Sequence, residues 1–94
     1  MQEVEKLGSL EQTGALRLLV TLLKNDALPV SELIKVVGCS QHALYNAIET
    51  LLEAGLIYEA HEKEFPRRRI FRLTEKGRKV AEKLLEIEEI MRSN

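Results

Sequence analysis

Residues 64 to 77 of this chain read EFPRRRIFRLTEKG, with Arg67, Arg68 and Arg69 in succession and a further arginine at Arg72. Guanidinium groups at this density suit the forked binding of phosphate or carboxylate oxygens. A second set of candidates lies upstream in SQHALYNAIE, where Ser40, Gln41, His42, Tyr45 and Asn46 bring together a hydroxyl, two carboxamides, an imidazole and a phenol. Carboxamides can bond an adenine edge through donor and acceptor at once, and the other groups can reach phosphates or base edges. Each set also has an ordinary reading. Any amphipathic helix carries solvated polar residues, and arginines on a hairpin pair with glutamates on the opposite strand for roughly 0–1 kcal/mol each.

Cys39, His42 and His61 raise the question of metal. Cys39 and His42 are three apart, but two firm ligands with no second pair do not make a zinc site. Cys39 is expected to be a small core hydrophobe that closes a turn, in preference to a redox sensor. A single cysteine cannot form an internal disulfide, which fits a reducing, cytoplasmic setting. Neither a Ser-His-Asp combination nor a Gly-rich phosphate loop occurs, so no enzyme and no cofactor is expected.

The chain has 94 residues, of which 45% are hydrophobic and 31% charged, so it reads as one globular domain, 1–94. Its apolar runs are too short to span a membrane, and MQEVEK lacks the form of a signal peptide. The net charge of −1 conceals a division. Residues 1–62 hold four Lys/Arg and nine Asp/Glu, giving −5; residues 63–79 hold eight and two, giving +6; residues 80–94 hold two and four, giving −2. Such segregation speaks about partners.

The candidates need elements to hold them. Ser9 and Gln12 have capping-box spacing and start a first helix, on which Leu16, Leu19, Val20 and Leu23 share a face. Gly14 within its first turns costs about 1 kcal/mol against Ala and favours a later start. Pro29 biases Leu28 away from helix, so ALPV at 27–30 is a short strand. Ser31 caps a second helix carrying Leu33, Ile34, Val36 and Val37, and Gly38 stops it. Ser40 caps a third helix over 40–54, with Leu44, Ala47, Ile48 and Leu51 inward, and Gly55 ends it. Two helices joined through a short turn at Gly38 have helix-turn-helix spacing.

LIYEAHE (56–62) and RRIFRLT (68–74) then read as the strands of a hairpin around KEFP. Placing Tyr58 opposite Phe71 sets Glu62 against Arg67 and Ala60 against Arg69. Alternation puts Arg69, Phe71 and Leu73 on one face and Arg68, Ile70 and Arg72 on the other. Thr74 caps a last helix over 75–92, where Val80, Leu84, Ile87 and Met91 form a heptad-like seam widened by Ala81, Leu85 and Ile90. The fold class is mainly α with a small β-hairpin, in the order helix, short strand, helix, helix, strand, wing, strand, helix.

In that order the segments VSELIKVVGCSQHALYNAIETLLEAGLIYE and RRRIFRLTEKGRKVAEKL resemble winged helix-turn-helix transcription regulators of the MarR, ArsR and PadR type. The likeness covers roughly residues 10 to 85. It includes the EAGLI exit from the third helix and the Leu-Thr-x-x-Gly signature at Leu73, Thr74 and Gly77. Two features depart from the MarR pattern: about nine residues stand before the first helix, where an extra helix is usual, and Phe65 stands near the wing tip in place of Asp. The resemblance therefore implies a minimal winged-helix dimer that binds double-stranded DNA.

It implies roles as well. Helix 40–54 would enter the major groove with Ser40, Gln41, His42, Tyr45 and Asn46, with Glu49 open between reading cytosine and repelling phosphate. No Lys or Arg lies between Lys35 and Lys63, so phosphate neutralisation falls to the wing, 62–69, through Lys63, Arg67 and Arg68. Arg69 is divided between DNA and a structural role on the core side. Leu84, Ile87, Ile90 and Met91 run past a core this small and are expected to form a homodimer interface. The alternative is a winged-helix protein-interaction module without specific DNA binding; a sequence-independent architectural binder is a third reading.

Overall fold

The computed structural model describes residues 2–61 and 68–93, with side chains from residue 6 onward. A 3₁₀ helix spans Gln2–Leu10. It is followed by α1 (Ala15–Asn25), β1 (Ala27–Pro29), α2 (Val30–Val37), α3 (Gln41–Glu53), β2 (Ile57–Ala60), β3 (Ile70–Leu73) and α4 (Glu75–Arg92). The expected order is observed, with a helical segment added in front of it.

That segment corrects the start of the first helix. Ser9 lies inside the 3₁₀ helix and its hydroxyl donates to the Lys6 carbonyl at 3.2 Å. The N-cap of α1 is Gly14, left-handed at φ 86°. A Cβ there would fall 2.9 Å from Cys39 Sγ, so close packing on the helix-turn-helix corner adds to the demand for glycine. The buried face of α1 is also rotated from the expected one. Ala15, Leu18, Leu19 and Leu22 are fully buried, whereas Leu16 is exposed. ALRLLVTLL is apolar nearly all round, so periodicity alone left its phase open. The second helix begins one residue before Ser31, because Pro29 takes the N-cap and Val30 is buried.

Expectation and structure agree on the third helix. Ser40 Oγ accepts from the Ala43 amide at 3.1 Å, and Leu44, Ala47, Ile48 and Leu51 have no exposed surface. Gly38 (φ 74°) and Gly55 (φ 75°) turn the chain at the ends of α2 and α3.

The three strands form an antiparallel sheet in the order β1-β3-β2, which makes β3 central. Its register differs by one residue from the expected hairpin. Ile57 pairs with Leu73, Tyr58 with Arg72, Glu59 with Phe71 and Ala60 with Ile70. Burial decides this. Ile57, Phe71 and Leu73 are all core residues and share one face in the observed register; a one-residue slip would put Ile57 on the opposite face from Phe71.

Helix α4 is attached through its first turn. Thr74 Oγ1 donates to the Gly55 carbonyl at 2.7 Å and accepts from the Gly77 amide at 2.9 Å. The Thr74 amide donates to the Leu56 carbonyl at 3.1 Å. Gly77 is buried so closely on Leu56 that an added Cβ would overlap its carbonyl group. From there α4 runs along α1, with Ala81 buried and Val80 and Leu84 packed on the core. Lys24 of α1 meets Glu88 of α4 at 3.7 Å. Among the described residues no helix is long and apolar enough to cross a membrane.

The junction can be tested by urea unfolding. Gly77→Ala must push backbone apart and is expected to lose about 1–3 kcal/mol, the usual range for overpacking. Thr74→Ala is expected to lose about 1 kcal/mol as a lost cap. A wild-type midpoint for Gly77→Ala would mean that α4 does not seat this closely.

Candidate nucleic-acid interface

A polar surface follows from the way α3 is buried. With one side fully packed, Gln41, His42, Asn46 and Glu49 are exposed on the other, and Tyr45 is half-buried against the core. The expected outward face is therefore the observed one, with Tyr45 anchored at its edge. Ser40 stands at the head of this face, but its oxygen is used by the cap, which leaves its hydroxyl proton to donate. Asn46 Nδ2 lies 3.3 Å from His42 Nε2, one turn away.

Beside α3 the sheet brings up the arginine strand. Arg68 and Arg69 line an open notch of about 430 Å³ together with Pro29, Val30, Ser31, Ile34 and Tyr45. Ser31, expected as a cap, thus lies in the first turn of α2 facing the arginines. The sequence gives no signal for this, since it depends on how β3 packs beside α2. The Val30 amide donates to the Arg69 carbonyl at 3.1 Å and fixes that approach. Lys63 and Arg67 lie outside the described residues.

Arg69 has a visible structural attachment. Its Nε and Nη2 each lie 3.3 Å from an oxygen of Glu59, a two-pronged contact across the hairpin. Its guanidinium also stands 5.1 Å from the centre of the Phe71 ring. Register explains both. Arg69, Phe71 and Glu59 share the core-side face of the sheet, and the ion pair covers the outer edge of that face. Arg68 and Arg72 also have partners within the protein.

The other sequence candidates separate cleanly. Cys39 is partly buried against the core and the N-cap of α1. Among the described residues, no three His, Cys, Asp or Glu side chains are grouped to hold a metal ion. Leu84 is half-buried, whereas Ile87, Ile90 and Met91 are 53%, 68% and 78% exposed. Leu84 and Ile87 form one wall of a groove of about 380 Å³, with Leu16, Val20 and Val36 opposite and Arg17 and Lys24 at its rim.

The family model described as F-93, winged-helix domain, matches residues 17–77. No curated protein matches the chain in sequence. Several solved structures share its fold. The adhesin competence repressor AdcR from Streptococcus pyogenes is 23% identical with a TM-score of 0.74, over 83% of this chain and 57% of that one. The MarR family transcriptional regulator SPO1453 from Silicibacter pomeroyi is 24% identical with a TM-score of 0.73, over 95% of this chain and 63% of its own. MepR of S. aureus, in a complex with DNA, is 24% identical with a TM-score of 0.73, over 93% and 73%. The chain thus spans little more than half the length of AdcR, and the likeness is one of fold.

The attachment of Arg69 predicts a measurable coupling. A double-mutant cycle of Glu59→Ala and Arg69→Ala, followed by urea unfolding, is expected to give about 0.2–1 kcal/mol, decreasing as salt is added. Zero coupling at low salt would remove the structural role of Arg69.

Proposed function

Because the chain belongs to the F-93 winged-helix domain family, we propose that it is a sequence-specific DNA-binding transcription regulator acting as a dimer. One observation carries this reading. Helix α3 has a fully buried face and an opposite face of Gln41, His42, Tyr45 and Asn46, and the notch containing Arg68 and Arg69 adjoins that polar face. A helix of this kind fits the major groove, where amides and imidazoles meet base edges. The arginines at the base of the wing are suited to phosphate oxygens or to the minor groove. Lys63 and Arg67 join them from the sequence alone. Arg69 contributes through its backbone position and its hold on Glu59 as well as through charge. The similar MepR structure is a DNA complex, which supports the same use of the fold here.

The dimer rests on α4. Ile87, Ile90 and Met91 carry large apolar side chains in the open, continuous with Leu84 and the groove along α1. Their burial against a second copy would remove that surface from water. It would also set two recognition helices near one turn of DNA apart, which implies a palindromic site.

The protein-interaction reading keeps one supporting feature: α3 carries Glu49 and no cation, so its face alone has little electrostatic attraction to DNA. Gel-shift titration over salt separates the two. Low-salt binding to duplex DNA is expected. Arg67→Ala/Arg68→Ala is expected to weaken it and to lower the slope of log affinity against log salt by about 2. Absence of duplex binding at low salt would favour the interaction module, and an unchanged salt slope would remove the wing from the contact. In sedimentation, Leu84→Glu/Ile87→Glu is expected to run as a monomer; a dimer would place the interface elsewhere.

A further inference from the structure

The contact between His42 and Asn46 restricts what α3 can present to a base. A carboxamide has two N–H donors and one carbonyl acceptor, and a neutral imidazole accepts at one nitrogen only. Asn46 Nδ2 lies 3.3 Å from His42 Nε2. The amide nitrogen can only donate, so this contact is a hydrogen bond in the imidazole tautomer that has its lone pair on Nε2. One N–H of Asn46 is thereby used, which leaves one N–H and the carbonyl oxygen for a base edge.

That remaining pair matches one base. In the major groove adenine presents N7 as acceptor beside the N6 amine as donor. Guanine presents two acceptors, N7 and O6. A free asparagine can serve guanine by giving both amide protons, but an asparagine held by His42 has only one to give, and its oxygen would then face O6. Thymine offers an acceptor and a methyl group, and cytosine a donor without N7. Both side chains are exposed on the outward face of α3, so a base edge can reach them.

We propose that Asn46 reads an adenine in the major groove and that His42 is the positioning residue that fixes its amide for adenine against guanine. This rests on the DNA-binding reading above. It adds a base identity and a division of labour within one helix turn: Asn46 touches the base, and His42 acts through Asn46.

The test is selection of binding sites from a randomised duplex library. Duplexes carrying each single base-pair change in the selected site are then titrated. Wild type is expected to require an A·T pair at one position of each half-site and to lose about tenfold or more in affinity when that adenine becomes guanine. Asn46→Ala is expected to abolish the preference at that position alone. His42→Ala is expected to narrow the adenine-to-guanine difference, because the second amide proton is released. His42→Gln is expected to restore it, because a glutamine carbonyl can accept the same proton. Thermal melting of each variant checks that the fold is kept.

Selection without a consensus, an unchanged preference in Asn46→Ala, or an unchanged adenine-to-guanine ratio in His42→Ala would each overturn the inference while leaving DNA binding intact. Failure of the wild type to bind any duplex at low salt would overturn the DNA-binding reading and this inference with it.

Discussion

One short junction ties together every part of this domain that has a use. At Thr74 a single hydroxyl donates to the Gly55 carbonyl and accepts from the Gly77 amide, while the Thr74 amide donates to Leu56. Gly77 then lies against the Leu56 carbonyl with no room for a side chain. Four elements meet there: the end of α3, the start of β2, the end of β3 and the first turn of α4. The direction of the helix proposed to face DNA, the hairpin beside it and the helix proposed to dimerise are all set within a few residues. A Leu-Thr-x-x-Gly pattern is therefore a packing requirement. Threonine supplies a cap with a second hydrogen bond to give, and glycine supplies absence of bulk.

The central position of β3 has a comparable effect on charge. Its residues pair with β1 on one side and β2 on the other, so the arginines entering it cannot swing freely about the hairpin. Arg69 is held to Glu59 and over Phe71, and its carbonyl is bonded to the head of α2. Arg68, one residue earlier, opens onto the notch beside Tyr45. Both arginines line that notch, and Arg69 is in addition tied to Glu59 across the hairpin.

Much of the fold was legible in the chain because it rests on local rules. Ser40 and Thr74 cap helices where their spacing predicts, Gly38 and Gly55 turn where a left-handed residue is needed, and the face of α3 follows its period. The misread features depend on distant contacts. The start of α1 is fixed by Cys39 beside Gly14, and the phase of its apolar surface by its place between the core and α4. Leu16 and Val20, expected inside, line the groove that Leu84 and Ile87 border. The hairpin register depends on which pairing brings Ile57, Phe71 and Leu73 to one core, and a strand of four residues cannot state that alone.

For the candidate site the same boundary holds. The sequence by itself determined which chemistry is present: amides and an imidazole on the outer face of a capped helix, arginines in a rising strand, and an apolar seam on the last helix. It could do so because helical period, strand alternation and caps act over a few residues. Only the tertiary structure decided that Arg69 is held by Glu59, that Ser31 joins the notch, and that His42 meets Asn46 within hydrogen-bond distance. Those outcomes depend on side-chain geometry and on contacts between segments far apart in the chain, and a pattern read along one dimension contains neither.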